Sequence, residues 1–322
     1  MNTVGIIGGS GFIGSHITKK FLEKNFKVKV SSTDISNKSK YGHLLDLENA
    51  RNLKIFPLDL REIETVKAFA EGCDIIVHTG TPFQLDVQDP QTELFEPTVK
   101  GTENFLEVVR NIAGLEKVIF VASVAAWNTS FPMSPADYDS GHIFSEKDTP
   151  YHNENDHPYC QAKYFADQSV RKFTDENGDL PFEIVTVSPV MVMGKALSDR
   201  LDSTSQGMQH LIKTKIAPNS FIEMLFATDA EFSLVDVRDV AEAVFQAAVK
   251  TNLHGKNYLL ANESYKVSDI SLMLNGQAPI SEAAFTYSSA LAKKDLEMNF
   301  ISAADTLENY SDNAEPSSAA SG

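Results

Sequence analysis

The chain has 322 residues, of which 42% are hydrophobic and 22% are charged, so it is long enough to bury a substantial core and too apolar for a disordered chain. Its formal net charge of −16 argues against nucleic-acid and anionic membrane partners, which favour basic surfaces. No apolar run approaches the roughly 18 to 20 residues that span a bilayer, and two cysteines, Cys73 and Cys160, are too few for a disulfide framework. We therefore expect a cytoplasmic protein that holds no metal.

The first half of the chain alternates short β-branched runs with helix-like stretches, as in parallel sheets whose strands are joined by crossover helices. Because the strand-like runs are apolar throughout, they require burial on both faces. The pattern predicts an α/β fold of Rossmann type with a doubly wound parallel sheet. Strands are predicted at 3–7, 27–31, 54–57, 75–78, 118–123 and 183–188, and helices at 13–24, 63–70, 95–112 and 159–173.

The second half is less regular, with a polar loop over 129–158 and a strand at 232–235. We predict an NADP-binding domain formed by 1–189 and 232–262, and a smaller C-terminal substrate lobe formed by 190–231 and 263–311. The last residues are small, acidic and rich in serine, so a disordered tail is expected over 312–322.

Three glycines follow the first predicted strand in the segment GGSGFIGS: Gly8, Gly11 and Gly14. Glycines at this spacing allow a tight turn and a close approach of backbone amides to a pyrophosphate at the positive end of the next helix. An ordinary strand-to-helix turn is the alternative, but the preceding strand and the following helix favour a dinucleotide site. Phe12 and Ile13 are expected to contact the same cofactor.

The end of the second predicted strand bears on the choice between NAD and NADP. A carboxylate there would bind the free ribose 2′-hydroxyl and repel a 2′-phosphate, whereas this chain has Ser32 and Thr33. Asp34 comes slightly later, and Lys38 and Lys40 follow. Small hydroxyl residues and nearby lysines favour NADP(H), with a solvated surface position as the alternative for the lysines.

Two later segments are candidates for contacts with the adenosine half of the cofactor. Asp59 follows the third predicted strand and could accept a hydrogen bond from the adenine amino group, with Leu60 beside it. Thr79, Gly80 and Thr81 follow the fourth strand and would let the backbone approach the ribose. The alternatives are a helix cap for Asp59 and a turn for the second segment.

Tyr159 and Lys163 are four residues apart and lie on one face of a predicted helix. A neighbouring ammonium favours the phenolate, so the pair predicts a tyrosine of lowered pKa that exchanges a proton with substrate. A surface helix pair is the alternative. Ser123, predicted at the end of a strand, favours catalysis, because the carboxyl ends of the strands border the cofactor crevice.

At these residues the chain resembles the extended short-chain dehydrogenases/reductases, and particularly the branch with dihydroflavonol, cinnamoyl-CoA, aldehyde and methylglyoxal reductases. The resemblance runs from about Thr3 to Tyr310 and includes the segments GGSGFIGS, GHLLDLENARNLKIFPLDL, YCQAK, SPVMVMGK and FSLVDVRDVAEA.

The resemblance implies an NADP(H)-dependent reductase that converts a small-molecule aldehyde or ketone to an alcohol. In such an enzyme Tyr159 is the general acid, Lys163 holds the nicotinamide ribose and Ser123 orients the carbonyl. Pro189 and Val192 would border the nicotinamide.

Other positions that the resemblance addresses concern substrate, phosphate and assembly. Asn128 matches a position that contacts substrate in flavonoid reductases, although a turn residue is the alternative. NADP-dependent members of the branch usually have arginine where this chain has Thr33, so the phosphate contact must come from elsewhere or is weaker. Homodimerisation through the helix near 95–112 and the Tyr159 helix is expected by the same analogy.

Two other functions use the same scaffold. An NAD-dependent nucleotide-sugar epimerase or dehydratase shares the serine, tyrosine and lysine, but it would favour an acidic residue at the Ser32–Thr33 position. A non-catalytic NADP-sensing regulator could dispense with Tyr159 and Lys163, so their presence argues against it.

Overall fold

The computed structural model describes residues 2–79, 88–135, 138–139, 141–198 and 204–311. Its strands are β1 Thr3–Ile7, β2 Lys27–Ser32, β3 Leu53–Pro57, β4 Ile75–His78, β5 Lys117–Val121, β6 Glu183–Pro189, β7 Met191–Met193, β8 Glu231–Asp236, β9 Asn257–Leu260 and β10 Ser264–Lys266. Its helices are α1 Phe12–Glu23, α2 Gly42–Leu45, α3 Ile63–Ala70, α4 Gly101–Val109, α5 Pro158–Glu176, α6 Thr204–Thr214, α7 Ser220–Thr228, α8 Val237–Val249, α9 Val267–Leu274, α10 Ala290–Asp295 and α11 Ala303–Ser311. The predicted tail at 312–322 lies outside the described residues.

Seven strands form one parallel sheet in the order β3-β2-β1-β4-β5-β6-β9. The order reverses beside β1, because β2 and β4 pair on its two sides. Ligands of open α/β sheets bind beyond the carboxyl ends of the strands at such a reversal. The sheet confirms the predicted Rossmann-type fold.

Both faces of the sheet are covered by helices, as the apolar strands require. Successive residues of β5 show this most simply, since Ile119 and Val121 pack with the core on the side of α1 and α8. Val118 and Phe120 pack into a second core, with residues of α3 and α4. Alternate side chains of one strand therefore belong to two hydrophobic cores on opposite faces.

A second, three-stranded sheet has the order β10-β8-β7 and carries a core of its own. The predicted strand at 232–235 is β8, and it pairs in this small sheet although it was assigned to the cofactor-binding domain. The core of this small sheet contains buried side chains from β7, α6, α7, β8, α9 and α11, among them Met193, Met208, Ile222, Phe232, Ile270 and Leu307. The bounds of the two lobes stay a prediction.

The helix predicted at 95–112 differs most from the structure. A π-helical segment, Gln91–Lys100, runs directly into α4, which ends at Val109. Pro97 lies inside the segment, and a proline lacks the N–H that a regular helix needs there, which favours a wider turn. The dimer contact predicted through this segment and α5 stays a prediction. None of the described helices combines the length and the apolar character needed to cross a membrane.

Candidate active site

The turn between β1 and α1 is built on two glycines that the backbone requires. Gly8 has φ +75°, a left-handed conformation that favours glycine. A Cβ on Gly14 would lie 2.1 Å from the carbonyl oxygen of Gly8, which leaves no room for any side chain. Glycine at these positions lets α1 begin only a few residues after β1 ends, with its amino terminus against the edge of the sheet.

Gly11 plays a different part in the same turn. A Cβ built on Gly11 would meet only the Gly8 carbonyl oxygen at 3.4 Å, an ordinary contact distance. Gly11 is the residue that precedes the first turn of α1, where helix amides and the helix dipole attract an anion. The protein itself therefore tolerates a side chain at Gly11, and a pyrophosphate seated on the turn would not.

Two hydroxyl side chains that the sequence interpretation did not single out support the glycine turn. Ser31 Oγ, at the end of β2, accepts a hydrogen bond from the Gly8 amide at 2.9 Å. Thr18 Oγ1, in α1, donates to the Gly9 carbonyl at 2.9 Å. Both residues are buried, and a buried hydroxyl group requires a hydrogen-bond partner. Lysines are close to both of them in the sequence, so no local signal identifies them.

The residues after β2 do not share one environment. Ser32 is buried, and its hydroxyl donates to the Asp34 carbonyl at 3.0 Å, so it serves the turn. Thr33 is exposed, and Lys40 Nζ donates to its Oγ1 at 3.1 Å. Of the two candidate lysines, Lys40 is the one whose hydrogen bond to Thr33 the structure shows, and the contact of either with a phosphate stays a prediction.

The other candidates for the adenosine half are only partly described. The Asp59 carboxylate accepts two hydrogen bonds from the Arg61 side chain, at 2.9 and 2.6 Å, and one from the Arg61 amide at 3.0 Å, and these bonds lower the pKa of Asp59. Thr79 donates from its hydroxyl to the Ile7 carbonyl at 2.7 Å, beside the glycine turn. Leu60 lies against Gly101. Gly80 and Thr81 lie outside the described residues.

Ser123 is half-buried and lies just beyond β5, which ends at Val121 and not at 123 as predicted. Its Oγ accepts a hydrogen bond from the Ala125 amide at 3.2 Å and caps a short 3₁₀ turn. The cap competes with strand pairing for the backbone at this point, so the strand ends earlier than its apolar run suggests.

Tyr159 and Lys163 lie one turn apart near the start of α5. His157 caps the helix, because its Nδ1 accepts a hydrogen bond from the Tyr159 amide at 3.1 Å. Lys163 Nζ is 5.9 Å from the centre of the Tyr159 ring. A side-chain hydrogen bond joins Tyr159 to Ser123. The structure thus brings together the three residues that the sequence interpretation combined.

Burial governs the protonation of this group. It raises the pKa of Tyr159, and the hydrogen bond with Ser123 acts in the opposite direction. The net shift is therefore the reverse of the lowered pKa predicted from a neighbouring ammonium. Burial also lowers the pKa of Lys163 to about 8, so the ammonium that was expected to act on the tyrosine is itself destabilised.

A cavity of about 170 Å³ opens beside these three side chains. Its polar lining comes from Ser123, Tyr159 and Lys163 together with Thr79 and Cys160. The rest of the lining is apolar and includes residues 189–192, whose contact with a nicotinamide stays a prediction. The apolar residues are Ile13, Val121, Ala122, Val124, Ala125, Phe131, Pro132, Pro189, Val190, Met191, Val192, Met208, Phe221 and Phe232.

Asn128, predicted as a candidate substrate contact, makes hydrogen bonds within the protein. It is fully buried, and its Nδ2 donates to the Met133 carbonyl and to the Tyr287 hydroxyl, each at 2.9 Å. Its Oδ1 accepts from the Ser130 amide at 3.0 Å. Because its amide group is occupied in this way, Asn128 supports the loop behind the cavity and is not among the residues that line it.

Comparison with known proteins identifies the family. The model of the NAD dependent epimerase/dehydratase family matches residues 4–261. The chain belongs to this family. Cinnamoyl-CoA reductase CAD2 of Medicago truncatula is 30% identical over 263 residues, 80% of this chain and 76% of the relative. An anthocyanidin reductase of Vitis vinifera is 27% identical over 86% of this chain and 81% of the relative.

A solved structure shares the fold. Yeast methylglyoxal/isovaleraldehyde reductase, complexed with NADPH, matches with a TM-score of 0.78 at 24% identity, covering 96% of this chain and 97% of the other. Family and fold together confirm the resemblance to extended short-chain dehydrogenases/reductases, and the similarity to reductases supports an oxidoreductase.

Substitution by alanine is expected to have different effects at Gly11 and at Gly14. Gly11→Ala should leave the melting temperature nearly unchanged, because the new methyl group makes only an ordinary contact with the Gly8 carbonyl. It should weaken dinucleotide binding by roughly tenfold or more, because the methyl group enters the space of the pyrophosphate. Gly14→Ala should lower the free energy of unfolding by roughly 1 to 3 kcal/mol, since its Cβ collides with the Gly8 carbonyl. Calorimetric titration and thermal unfolding measure the two effects. Unchanged affinity in Gly11→Ala would mean that the pyrophosphate lies elsewhere.

Proposed function

We propose that the protein is an NADP(H)-dependent carbonyl reductase, in which Tyr159 protonates the carbonyl oxygen of an aldehyde or ketone. The observation that carries the proposal is the hydrogen-bonded pair of Ser123 and Tyr159 in an apolar cavity, with Lys163 one helical turn away. Reduction of a carbonyl builds negative charge on its oxygen, and a proton donor and a hydrogen-bond donor must meet that charge where it forms.

The residues of the chain fit NADPH, which supplies a hydride when it is bound. The open turn at Gly11, where α1 begins, suits the pyrophosphate, and Thr33 with Lys40 would hold the 2′-phosphate. Lys163 would hold the nicotinamide ribose, and the 189–192 segment would lie against the ring. Backbone amides, a cation and an apolar wall are the groups that these three parts of the cofactor require.

Each side chain of the catalytic group then has a defined part in the proton transfer. Ser123 donates to the carbonyl oxygen and orients it. Tyr159 holds its proton up to the point of transfer, because burial keeps its pKa high until charge develops on the substrate. Lys163, when it is protonated, stabilises the phenolate that the transfer leaves behind.

The cavity favours an uncharged substrate with an apolar group next to its carbonyl. Three phenylalanines and two methionines supply much of the wall. Such side chains bind aliphatic and aromatic groups by burial of area and adapt to their shape. A sugar would leave several hydroxyl groups without partners on this wall, so the described lining argues against the nucleotide-sugar alternative.

A screen of cofactor oxidation tests the proposed activity. The purified protein is mixed with NADPH or NADH and with aliphatic and aromatic aldehydes, α-dicarbonyls, β-keto esters and flavanonols. Loss of absorbance at the nicotinamide band with at least one uncharged carbonyl is expected. Copurified NAD together with turnover of a nucleotide sugar would overturn the proposal in favour of an epimerase or dehydratase.

Tyr159→Phe should lower single-turnover reduction by the roughly 10²- to 10⁴-fold that is typical of a lost general acid. NADPH binding should persist, because the ring and its packing are retained. Tyr164→Phe, one turn along from Cys160 on the same helix, removes a hydroxyl from a residue outside the cavity lining and is the matched control. Reduction at the wild-type rate by Tyr159→Phe would exclude Tyr159 as the acid.

The phosphate contact predicts a difference between two neighbouring lysines. Lys40→Ala should weaken NADPH binding by roughly tenfold, as expected for the loss of one charge-assisted hydrogen bond, and leave NADH binding almost unchanged. Lys38→Ala removes the same charge from the same short turn and should have a smaller effect. Equal losses in both variants would indicate a general electrostatic effect and no specific contact at Lys40.

A further inference from the structure

His78, the last residue of β4, is a buried polar side chain to which the proposed mechanism gives no task. Its ring lies between two phenylalanines, with centroid distances of 4.9 Å to Phe105 and 5.4 Å to Phe120. It is 4% exposed. The aromatic neighbours hold the imidazole in one orientation, so its two nitrogens have fixed directions.

The two nitrogens of His78 differ in their hydrogen bonding. The ring makes a hydrogen bond with the backbone of His78 itself, which only Nδ1 can reach. Nε2 is buried and has no hydrogen-bond partner among the described residues. Burial, together with the charge of Lys163, lowers the pKa of His78 to about 3, so the ring is neutral and Nε2 presents a lone pair. A buried acceptor without a partner requires an explanation.

A small cavity of about 30 Å³ supplies one. One water needs roughly 10 to 15 Å³ of such space and two or more polar partners. Polar side chains reach this cavity from three elements: His78 from β4, Thr102 from α4, and Lys163 with Asp167 from α5. The same Lys163 also lines the larger cavity that holds Ser123 and Tyr159.

We propose that His78 Nε2 and the Lys163 ammonium bind one water molecule between them, and that His78 is a positioning residue that acts through this water on Lys163. The ammonium donates to the water oxygen, and the water donates one hydrogen to His78 Nε2. The second hydrogen of the water would be donated to Thr102 Oγ1. This hydroxyl itself donates to the Thr98 carbonyl at 2.7 Å and keeps a lone pair available as an acceptor.

The water would compensate for the burial of Lys163. Desolvation lowers the pKa of that lysine, and a hydrogen bond that accepts from its ammonium opposes this shift. The other charged group at the small cavity, Asp167, is held by Arg171 Nε at 2.5 Å and by Asn257 Nδ2 at 3.1 Å. His78 therefore provides a neutral acceptor at the small cavity for a lysine that also lines the larger cavity with Tyr159.

The first test is independent of activity. A crystal structure of the wild-type protein with NADP⁺, at a resolution that shows ordered waters, should contain a water within hydrogen-bond distance of both His78 Nε2 and Lys163 Nζ. A dry cavity would overturn the proposal. This outcome does not depend on the reaction, although the functional part of the inference rests on the proposed reductase activity.

The second test uses two substitutions of His78 and the pH profile of turnover with the carbonyl found by the screen. His78→Phe removes the acceptor and keeps an aromatic ring between Phe105 and Phe120. His78→Gln restores an acceptor close to the position of Nε2. Without the water the pKa of Lys163 should fall, so the alkaline limb of kcat should move to lower pH by about one unit in His78→Phe, since one unit is about 1.4 kcal/mol of a charged hydrogen bond.

His78→Gln should keep the wild-type limb, and KM for the carbonyl should change little in either variant. A merely structural role would lower the melting temperature of both variants and leave the limb in place, and that result would overturn the proposal. If His78→Phe does not fold, the wild-type crystal structure and His78→Gln still decide it. Failure of Tyr159→Phe to slow reduction would exclude the reductase mechanism and leave the water site standing.

Discussion

Parallel pairing of the central strands is the constraint on which the site depends. Because β1, β4, β5 and β6 run in one direction and pair side by side, their carboxyl ends meet at one edge of the sheet. Gly8, Thr79, Ser123 and Pro189 each follow or end one of these strands. The sheet therefore gathers at one edge residues that are far apart in sequence, and α5 needs only to pack across it to bring Tyr159 and Lys163 to Ser123.

Burial in a largely apolar cavity suits this arrangement for chemistry. Burial disfavours the charged form of both ionisable residues, as the raised pKa of Tyr159 and the lowered pKa of Lys163 show. Each charge is favourable only when a partner compensates for it. Hydrogen-bond donors held in a low-dielectric cavity stabilise a developing oxyanion more than the same donors in water, and they need no rearrangement at the moment of reaction. The proposed water at His78 would stabilise the charged form of Lys163 at the small cavity.

Much of the architecture follows from local patterns in the sequence. The glycine turn, the apolar strands and the pair of Tyr159 and Lys163 are short-range signals, and the residues they indicate lie together in the structure. Other features depend on contacts between distant segments. The sequence suggests a substrate contact or a turn residue at Asn128, and only the folded chain shows its bond to Tyr287, 159 residues away. The proton affinity of Tyr159 depends on how deeply the folded chain buries it, and spacing along a helix does not carry that information.

Backbone details were also beyond local patterns. The π-helical segment arises where Pro97 lacks the N–H of a helical hydrogen bond, and β5 ends early where the Ser123 side chain caps the following turn. Likewise, nothing in the spacing of Lys38 and Lys40 distinguishes them, and only the folded turn shows which one reaches Thr33. The apolar wall combines residues of distant segments, among them Ile13, Phe131 and Phe221, and no local pattern in the sequence shows that they meet at one cavity.

If the proposed reductase activity is right, the site moves a hydride from a nicotinamide to an external carbonyl and releases the reduced product. The decisive measurement is the reaction with NADPH that carries deuterium at both C4 positions of the nicotinamide, followed by mass spectrometry of the product. We expect an alcohol with deuterium on the former carbonyl carbon and one NADP⁺ formed for each molecule of product. Product without deuterium, or turnover in which the dinucleotide is not consumed, would exclude the reductase and indicate a cycle of the epimerase kind.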